Sequence, residues 1–343
     1  MKTGNTLLAA SIAALALMNT AAYAADEVVL KDGSRVLGAV KSSNGGVVVL
    51  ETDFAGAISI PADKISSVNT GEAVVVKLKD GRVTKQQPIS MTAGEIVAED
   101  TTGMAMSYQI ADIDVINPKP WQLGQGYQWN GRASLALAME RGNTESDKFN
   151  FLMDNTWVSL RDRITLSLSG KRDEADGEKT ADNWQAVAKY DYFLADPRYY
   201  LGVNASLSAD KFTDLDLRTY IGPYFGVQWY KTVDFSLATE FGLVYVKDEY
   251  ISGGEKEYPA ANWTVDISSE YFGGGSRVYF HHTGVVSLEE ASDLLTTTRT
   301  GIAFPLMGGL ELGAEALFKY DGSVEADVES LDEVYSLRLG YSW

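Results

Sequence analysis

His281 and His282 are the only imidazoles in this chain, so acid–base chemistry near neutral pH would have to use one of them. A membrane esterase acting on lipid would pair one with a nearby hydroxyl, Ser268 or Ser287. The local sequence does not favour that reading. It contains no nucleophile elbow and no distinctive Ser/His/Asp spacing, and neighbouring strand residues point to opposite faces, which separates the pair. The run GGGS (273–276) would cradle a phosphate only if a helix followed it; a tight turn explains it better. Acidic stretches at 173–181 (DEADGEKTA), 248–260 (DEYISGGEKEYPA) and 321–330 (DGSVEADVES) lack the Asp-x-Asp-x-Asp spacing of a calcium loop and read as solvated loop charge. No catalytic residue, metal ligand or cofactor is assigned, and a lipid hydrolase using His281 or His282 stays as the alternative.

What the spacing does support is charge pairing between strands. From about Gln128 onward the chain falls into about twelve alternating segments: 128–140, 146–159, 162–172, 182–194, 198–210, 214–229, 232–246, 260–272, 276–288, 292–304, 308–320 and 331–343. Ile164, Leu166 and Leu168 oppose Arg163, Thr165, Ser167 and Ser169, while Leu310, Leu312, Ala314 and Phe318 oppose Glu311, Gly313, Glu315 and Lys319. Polar residues this frequent cannot form a dry core. They suit the wet lumen of a membrane barrel whose apolar residues face lipid. That facing puts the cations Arg132, Arg163, Lys171, Lys189, Arg218, Arg277, Arg299, Lys319 and Arg338 inside. It also puts Glu140, Asp154, Asp191, Asp210, Asp234, Glu240, Asp266, Glu270, Glu311 and Glu315 there. Arg132, Arg163, Lys189, Arg218, Asp266, Glu270, Arg299, Glu311, Glu315 and Arg338 are the foremost ion-pair candidates. Near-equal signs predict a narrowed lumen with weak ion selectivity.

Connections between the segments give an independent expectation. Ala195-Asp196-Pro197, Lys231, Gly273-Gly274-Gly275 and Pro305-Leu306-Met307 are tight, whereas the alternate connections are mostly longer and acidic. An even strand number with both barrel ends on the tight-turn side is the arrangement of outer-membrane barrels. Trp157, Trp184, Tyr192, Trp229 and Trp263 sit where interfacial girdles are expected.

The N-terminal third has another character. Lys2, the apolar stretch Leu7 to Met18 and Ala22-Tyr23-Ala24 read as a secretory signal peptide over 1–24. Beyond it, LKDG at 30–33 returns at 78–81, an offset of 48 that also aligns Ile65 with Ile113, Val68 with Ile116 and Asn69 with Asn117. Two small, strongly bent sheets are expected, at 26–69 and 73–117, in the periplasm. The stretch NPKPWQLGQGYQWNG (117–131) marks a boundary, with a linker at 118–127. A formal charge of -18 argues against nucleic acid as a partner, and the absence of cysteine removes disulfides and lipoprotein anchoring.

The turn placement of the repeats resembles small Sm-like β-modules, which bind peptides, glycans or one another. The final strand YSLRLGYSW, with Tyr335, Leu337, Leu339, Tyr341 and Trp343 on one face, is similar to the closing signal of Gram-negative outer-membrane barrels. The resemblance implies recognition by the barrel-assembly machinery. GRASLALAMERGNTESDKFNF (131–151) is similar to the start of the salt-induced outer-membrane protein family, of unassigned activity. The expected protein is all-β: a transmembrane antiparallel β-barrel of about 12 strands (128–343), preceded by a periplasmic tandem repeat (26–117). Its partners would be outer-membrane lipid and lipopolysaccharide, with an envelope or cell-wall partner for the repeats.

Overall fold

The structure, a computed structural model, describes residues 26–44, 46–92, 94–140, 146–232, 234–270, 275–322 and 330–343. The expected signal peptide, residues 141–145 within GRASLALAMERGNTESDKFNF, Gly273-Gly274 and most of 321–330 lie outside them. The chain divides into one unit ending at Pro118 and another starting at Lys119.

In the first unit, β1 (Asp26–Leu30), β2 (Arg35–Asn44), β3 (Val47–Thr52), β4 (Gly56–Pro61) and β5 (Ile65–Asn69) form a sheet ordered β4-β3-β2-β1-β5. They are followed by β6 (Val76–Leu78), β7 (Met91–Thr92), β8 (Glu95–Glu99), β9 (Ala105–Tyr108) and β10 (Ile113–Ile116). The turns recur at the repeat spacing because their chemistry recurs. Asp32 accepts the Ser34 amide and Asp80 the Arg82 amide, both at 2.9 Å, ahead of Gly33 and Gly81 at φ 90° and 89°. Buried positions match as well: Val28 with Val76, Val48 with Ile96, Leu50 with Ala98, Ile60 with Tyr108, Ile65 with Ile113 and Val68 with Ile116. All belong to one hydrophobic cluster. The halves also reach into each other, since β10 pairs with β2 at Ile116↔Ser43 and the Asn69 carboxamide accepts the Met91 amide at 3.1 Å. Their folding is therefore coupled.

The second unit is a closed antiparallel barrel of twelve strands: β11 (Gln128–Glu140), β12 (Ser146–Val158), β13 (Asp162–Ala175), β14 (Glu178–Phe193), β15 (Tyr199–Asp210), β16 (Leu215–Lys231), β17 (Phe235–Tyr250), β18 (Glu255–Ser269), β19 (Arg277–Ser287), β20 (Leu294–Pro305), β21 (Leu310–Asp321) and β22 (Leu331–Ser342). Strict alternation sends Leu166, Leu168, Leu201, Val203, Phe225, Phe241, Leu243 and Leu339 to the outside, all exposed. So continuous an apolar belt would be costly in water, and it identifies the barrel as a membrane-spanning one.

Four sequence expectations change. Residues 173–181 are not a long loop, because β13 and β14 leave only Asp176-Gly177 as a two-residue turn. Likewise β17 and β18 absorb most of 248–260 and leave 251–254. The acidity misled because lysine offsets it within the ladder: Lys247 lies 3.1 Å from Glu249 and 2.9 Å from Glu255. Strand extension, rather than loop length, sets that rim apart. Residues 120–123 form a 3-10 turn with Gln122 buried, so 118–127 is not a plain linker. Trp263 sits in mid-strand over Gly284 instead of in a girdle; a Cβ at 284 would lie 2.0 Å from its ring.

Candidate functional site in the barrel lumen

The inward side chains enclose a cavity of about 660 Å³ lined by Arg132, Arg163, Lys189, Arg218, Asp266 and Arg299 among others. Three charge networks narrow it. On β13–β17, Arg163 donates to Asp191 at 2.6 Å, Tyr224 donates to the other Asp191 oxygen, and Glu240 accepts Lys189 and the Tyr200 hydroxyl. Arg163 lies 5.1 Å from the Tyr200 ring centre and Lys189 4.8 Å from that of Tyr224, so each cation has a carboxylate and an aromatic face.

Glycine makes room for these rings. Tyr200 is opposite Gly226, and Tyr224 is opposite Gly202, across β15 and β16. A Cβ on either glycine would fall 2.2 or 2.3 Å from the facing ring. Each tyrosine can thus lie flat against the wall and aim its hydroxyl at a carboxylate.

The second network, on β19–β22 and β11, repeats the device: Tyr279 packs on Gly301. Its hydroxyl donates to Glu315 at 2.8 Å. Glu315 also lies 2.8 Å from Arg338 Nε and 3.7 Å from Arg299 Nε. Arg132 and Arg277 flank the Tyr279 ring at 5.7 and 5.2 Å, and pair with Asp154 at 3.1 Å and Glu311 at 3.5 Å. In the third network Arg218 grips Asp248 through two bonds of 2.6 and 2.8 Å.

Most of the expected ion-pair residues therefore stand in these networks. Glu270 does not: it lies past the end of β18, exposed, with its amide bonded to the Asp234 carbonyl at 2.9 Å. Asp234 is likewise in the turn. The Glu140 side chain lies outside the described features. Asp266 meets His281 Nδ1 at 2.9 Å instead of a lysine or arginine, while His282, on the outer face, contacts Thr298 at 2.8 Å. Among the described residues no group of three or more His, Cys, Asp or Glu could hold a metal.

The sequence reading missed Asp248, Tyr200, Tyr224 and Tyr279. A signal was present: Tyr-x-Gly occurs at 200–202 and again at 224–226, and antiparallel pairing sets each Tyr on the other's Gly. Asp248 shares the parity of Glu240 on β17 and was hidden by the acidic run around it.

At the closing seam, Tyr341 and Trp343 stack with ring centres 6.0 Å apart, and Trp343 meets Trp129 edge-on at 5.6 Å. Trp343 covers Gly131, where a Cβ would lie 2.2 Å from its ring. Tyr335, Leu337 and Leu339 point outward and are exposed.

Residues 133–343 match the family described as "Protein of unknown function, DUF481". No curated protein matches the chain. Among solved structures, the NanC porin is 12% identical with a TM-score of 0.40, covering 63% of this chain and 99% of that one. The translocator domain of autotransporter NalP from Neisseria meningitidis is 11% identical with a TM-score of 0.34, over 64% and 88% of the two chains. The outer membrane channel DcaP of Acinetobacter baumannii is 11% identical with a TM-score of 0.33, over 93% and 94%.

Proposed function

From the premise that this chain belongs to the DUF481 family, we propose that it is a non-enzymatic outer-membrane barrel passing small polar solutes through a narrow, charge-balanced lumen. The carrying observation is the cavity of about 660 Å³ whose cations lie against carboxylates and tyrosine rings. Paired charges leave little net field to select one ion sign, and twelve strands are intermediate between filled small barrels and open porins.

The outward apolar belt supports a place in the outer membrane of a Gram-negative envelope, in contact with lipid and lipopolysaccharide. In this reading the closing strand with Tyr335, Leu337, Leu339, Tyr341 and Trp343 is read by the assembly machinery. Residues 26–117 are the periplasmic modules that meet an envelope or cell-wall partner; the Sm-like and salt-induced likenesses are proposed on the same footing. Conductance of the full-length protein in planar bilayers tests the reading. Silence under all salts would overturn the channel and leave a structural barrel.

One observation keeps the hydrolase alternative: His281 Nδ1 against Asp266 is the orientation of a general base. Among the described residues no hydroxyl is hydrogen-bonded to His281. Loss of lipid hydrolysis on His281→Ala would establish that alternative.

A further inference from the structure

The barrel wall is not sealed equally along all its junctions. Each of the others is paired over ten or more positions, as from Gln128↔Val158 to Glu140↔Ser146 between β11 and β12, or from Leu310↔Tyr341 to Tyr320↔Leu331 between β21 and β22. Between β11 and β22 the ladder holds only at Arg132↔Ser342, Ala133↔Tyr341, Ser134↔Gly340 and Leu135↔Leu339, extended by the 3.0 Å backbone bonds of Gly131 and Trp343. Past Leu135 no pair joins the two strands among the described residues. The edge of β11 from Ala136 and that of β22 up to Arg338 face each other unbonded.

Five paired positions at about 3.3 Å each, tilted as barrel strands are, rise about 12 Å. The hydrocarbon band of such a barrel is about 25 Å tall. The opening thus falls within the bilayer, in the half remote from the rim that holds Gln128 and Ser342. Exposure changes at that level: Leu135 and Leu339 are 50% and 55% exposed in the sealed part, whereas Leu137, Tyr335 and Leu337 reach 65%, 69% and 76%.

Unbonded strand edges in hydrocarbon are costly unless something polar reaches them. The lumen side of this gap is polar and cationic. Arg338 is buried, at 9% exposure, yet its Nη1 has no hydrogen-bond partner, and neither has the Ser336 hydroxyl. Arg338 and Arg299 share the single carboxylate of Glu315, so at this place two guanidiniums meet one carboxylate. Ala136, on the facing strand, takes little space.

A gap that is cationic within and greasy without matches one kind of molecule, an amphiphile with an anionic head. Beyond the conduction reading above, we propose that the unpaired part of the β11/β22 seam is a lateral portal between lumen and bilayer. The head of a phosphate-bearing lipid sits against Arg338 and Ser336 there, and its acyl chains lie along Leu337 and Tyr335. A β-strand from another protein would satisfy the backbone edges but would leave the buried guanidinium unneutralised, so the lipid is favoured.

Photocrosslinking tests the portal. Full-length protein carrying p-benzoylphenylalanine at position 136 is reconstituted in vesicles of phosphatidylglycerol or of phosphatidylcholine. The expected result is at least about fivefold more lipid adduct with phosphatidylglycerol, and little adduct when the probe replaces Ser167 on β13, away from the seam. Arg338→Gln should bring the phosphatidylglycerol yield down to that of phosphatidylcholine. Because that change can disturb Glu315 and folding, Ser336→Phe, which narrows the gap with Arg338 kept, should lower the yield as well; heat-modifiable gel migration reports folding of both. Equal yields for the two lipids, no excess over position 167, or crosslinks mainly to protein would each overturn the proposal. None of these outcomes depends on conductance.

Discussion

Tyr224 lies flat on Gly202 of the neighbouring strand, so close that a Cβ at position 202 would fall 2.3 Å from its ring. The same glycine lets the hydroxyl reach Asp191, which is also bound by Arg163. Backbone, ring and ion pair therefore depend on one missing methyl group.

Gly202→Val should push the Tyr224 ring into the lumen and break its bond to Asp191. Overpacking of this kind costs about 1–3 kcal/mol. Urea unfolding of the refolded barrel measures it, and Val203→Ala, on the outward face of the same strand, is the comparison expected to cost less. Equal losses would show that the ring does not need the glycine.

Arg163→Ala should destabilise strongly, since it leaves the Asp191 carboxylate, fully buried, without its cation. Breaking one side of a buried pair costs about 3–5 kcal/mol, while replacing both partners by apolar groups is often near neutral. Arg163→Met with Asp191→Leu should therefore recover much of the loss. A double variant as unstable as the sum of its singles would rule out the pair as the source.

The strand assignments were legible because alternation survives nearly every segment from 128 to 343: Leu166 and Leu168 face out, Ser167 and Ser169 face in. Site details were less so, for two physical reasons. With Leu201 and Phe225 outward, parity places Tyr200 and Tyr224 inward, but tyrosine carries both a greasy ring and a polar tip, and only pairing each with the glycine opposite shows that the ring lies on the wall and frees the hydroxyl for a carboxylate. Acidic residues look like loop when their basic partners are on another strand, as Arg218 is for Asp248 and Lys247 for Glu255, which is how Asp248 was lost and how β17 and β18 came out too short. Glu270 erred the other way, its parity being right but its strand already finished. The short ladder between β11 and β22 depends on register, which no single segment encodes.

Closing the seam should depend on aromatic cover. Tyr341→Ser with Trp343→Ser should lower the fraction of heat-modifiable barrel several-fold, because it strips the rings over Gly131 and Trp129. Gly131→Val should do likewise by displacing Trp343. Glu289→Ser in the connection between β19 and β20, where solvent carries the charge, is expected to leave assembly unchanged. Unaltered assembly in both seam variants would show that closure relies on backbone pairing alone.

Acid should loosen the repeat unit through its turns. The Ser34 amide holds the Asp32 carboxyl below its ordinary range, the Arg82 amide does so for Asp80, and the Thr102 hydroxyl for Asp100. A depressed folded value means stabilisation that is complete above the unfolded value and lost as pH falls through the folded one, in the range below about pH 4. Carboxyl titration by NMR of residues 26–118 should find these three aspartates titrating below the ordinary aspartate value of about 3.9. Titration of all three at or above that value would contradict the turn geometry.

Single-channel recording of the full-length protein in a planar bilayer across a KCl gradient tests the narrowed, charge-balanced lumen most directly. The expected result is a small conductance with a reversal potential near zero, and a larger conductance when Arg218→Ala removes the cation that grips Asp248. A large pore with strong preference for one ion sign, unmoved by that substitution, would contradict it.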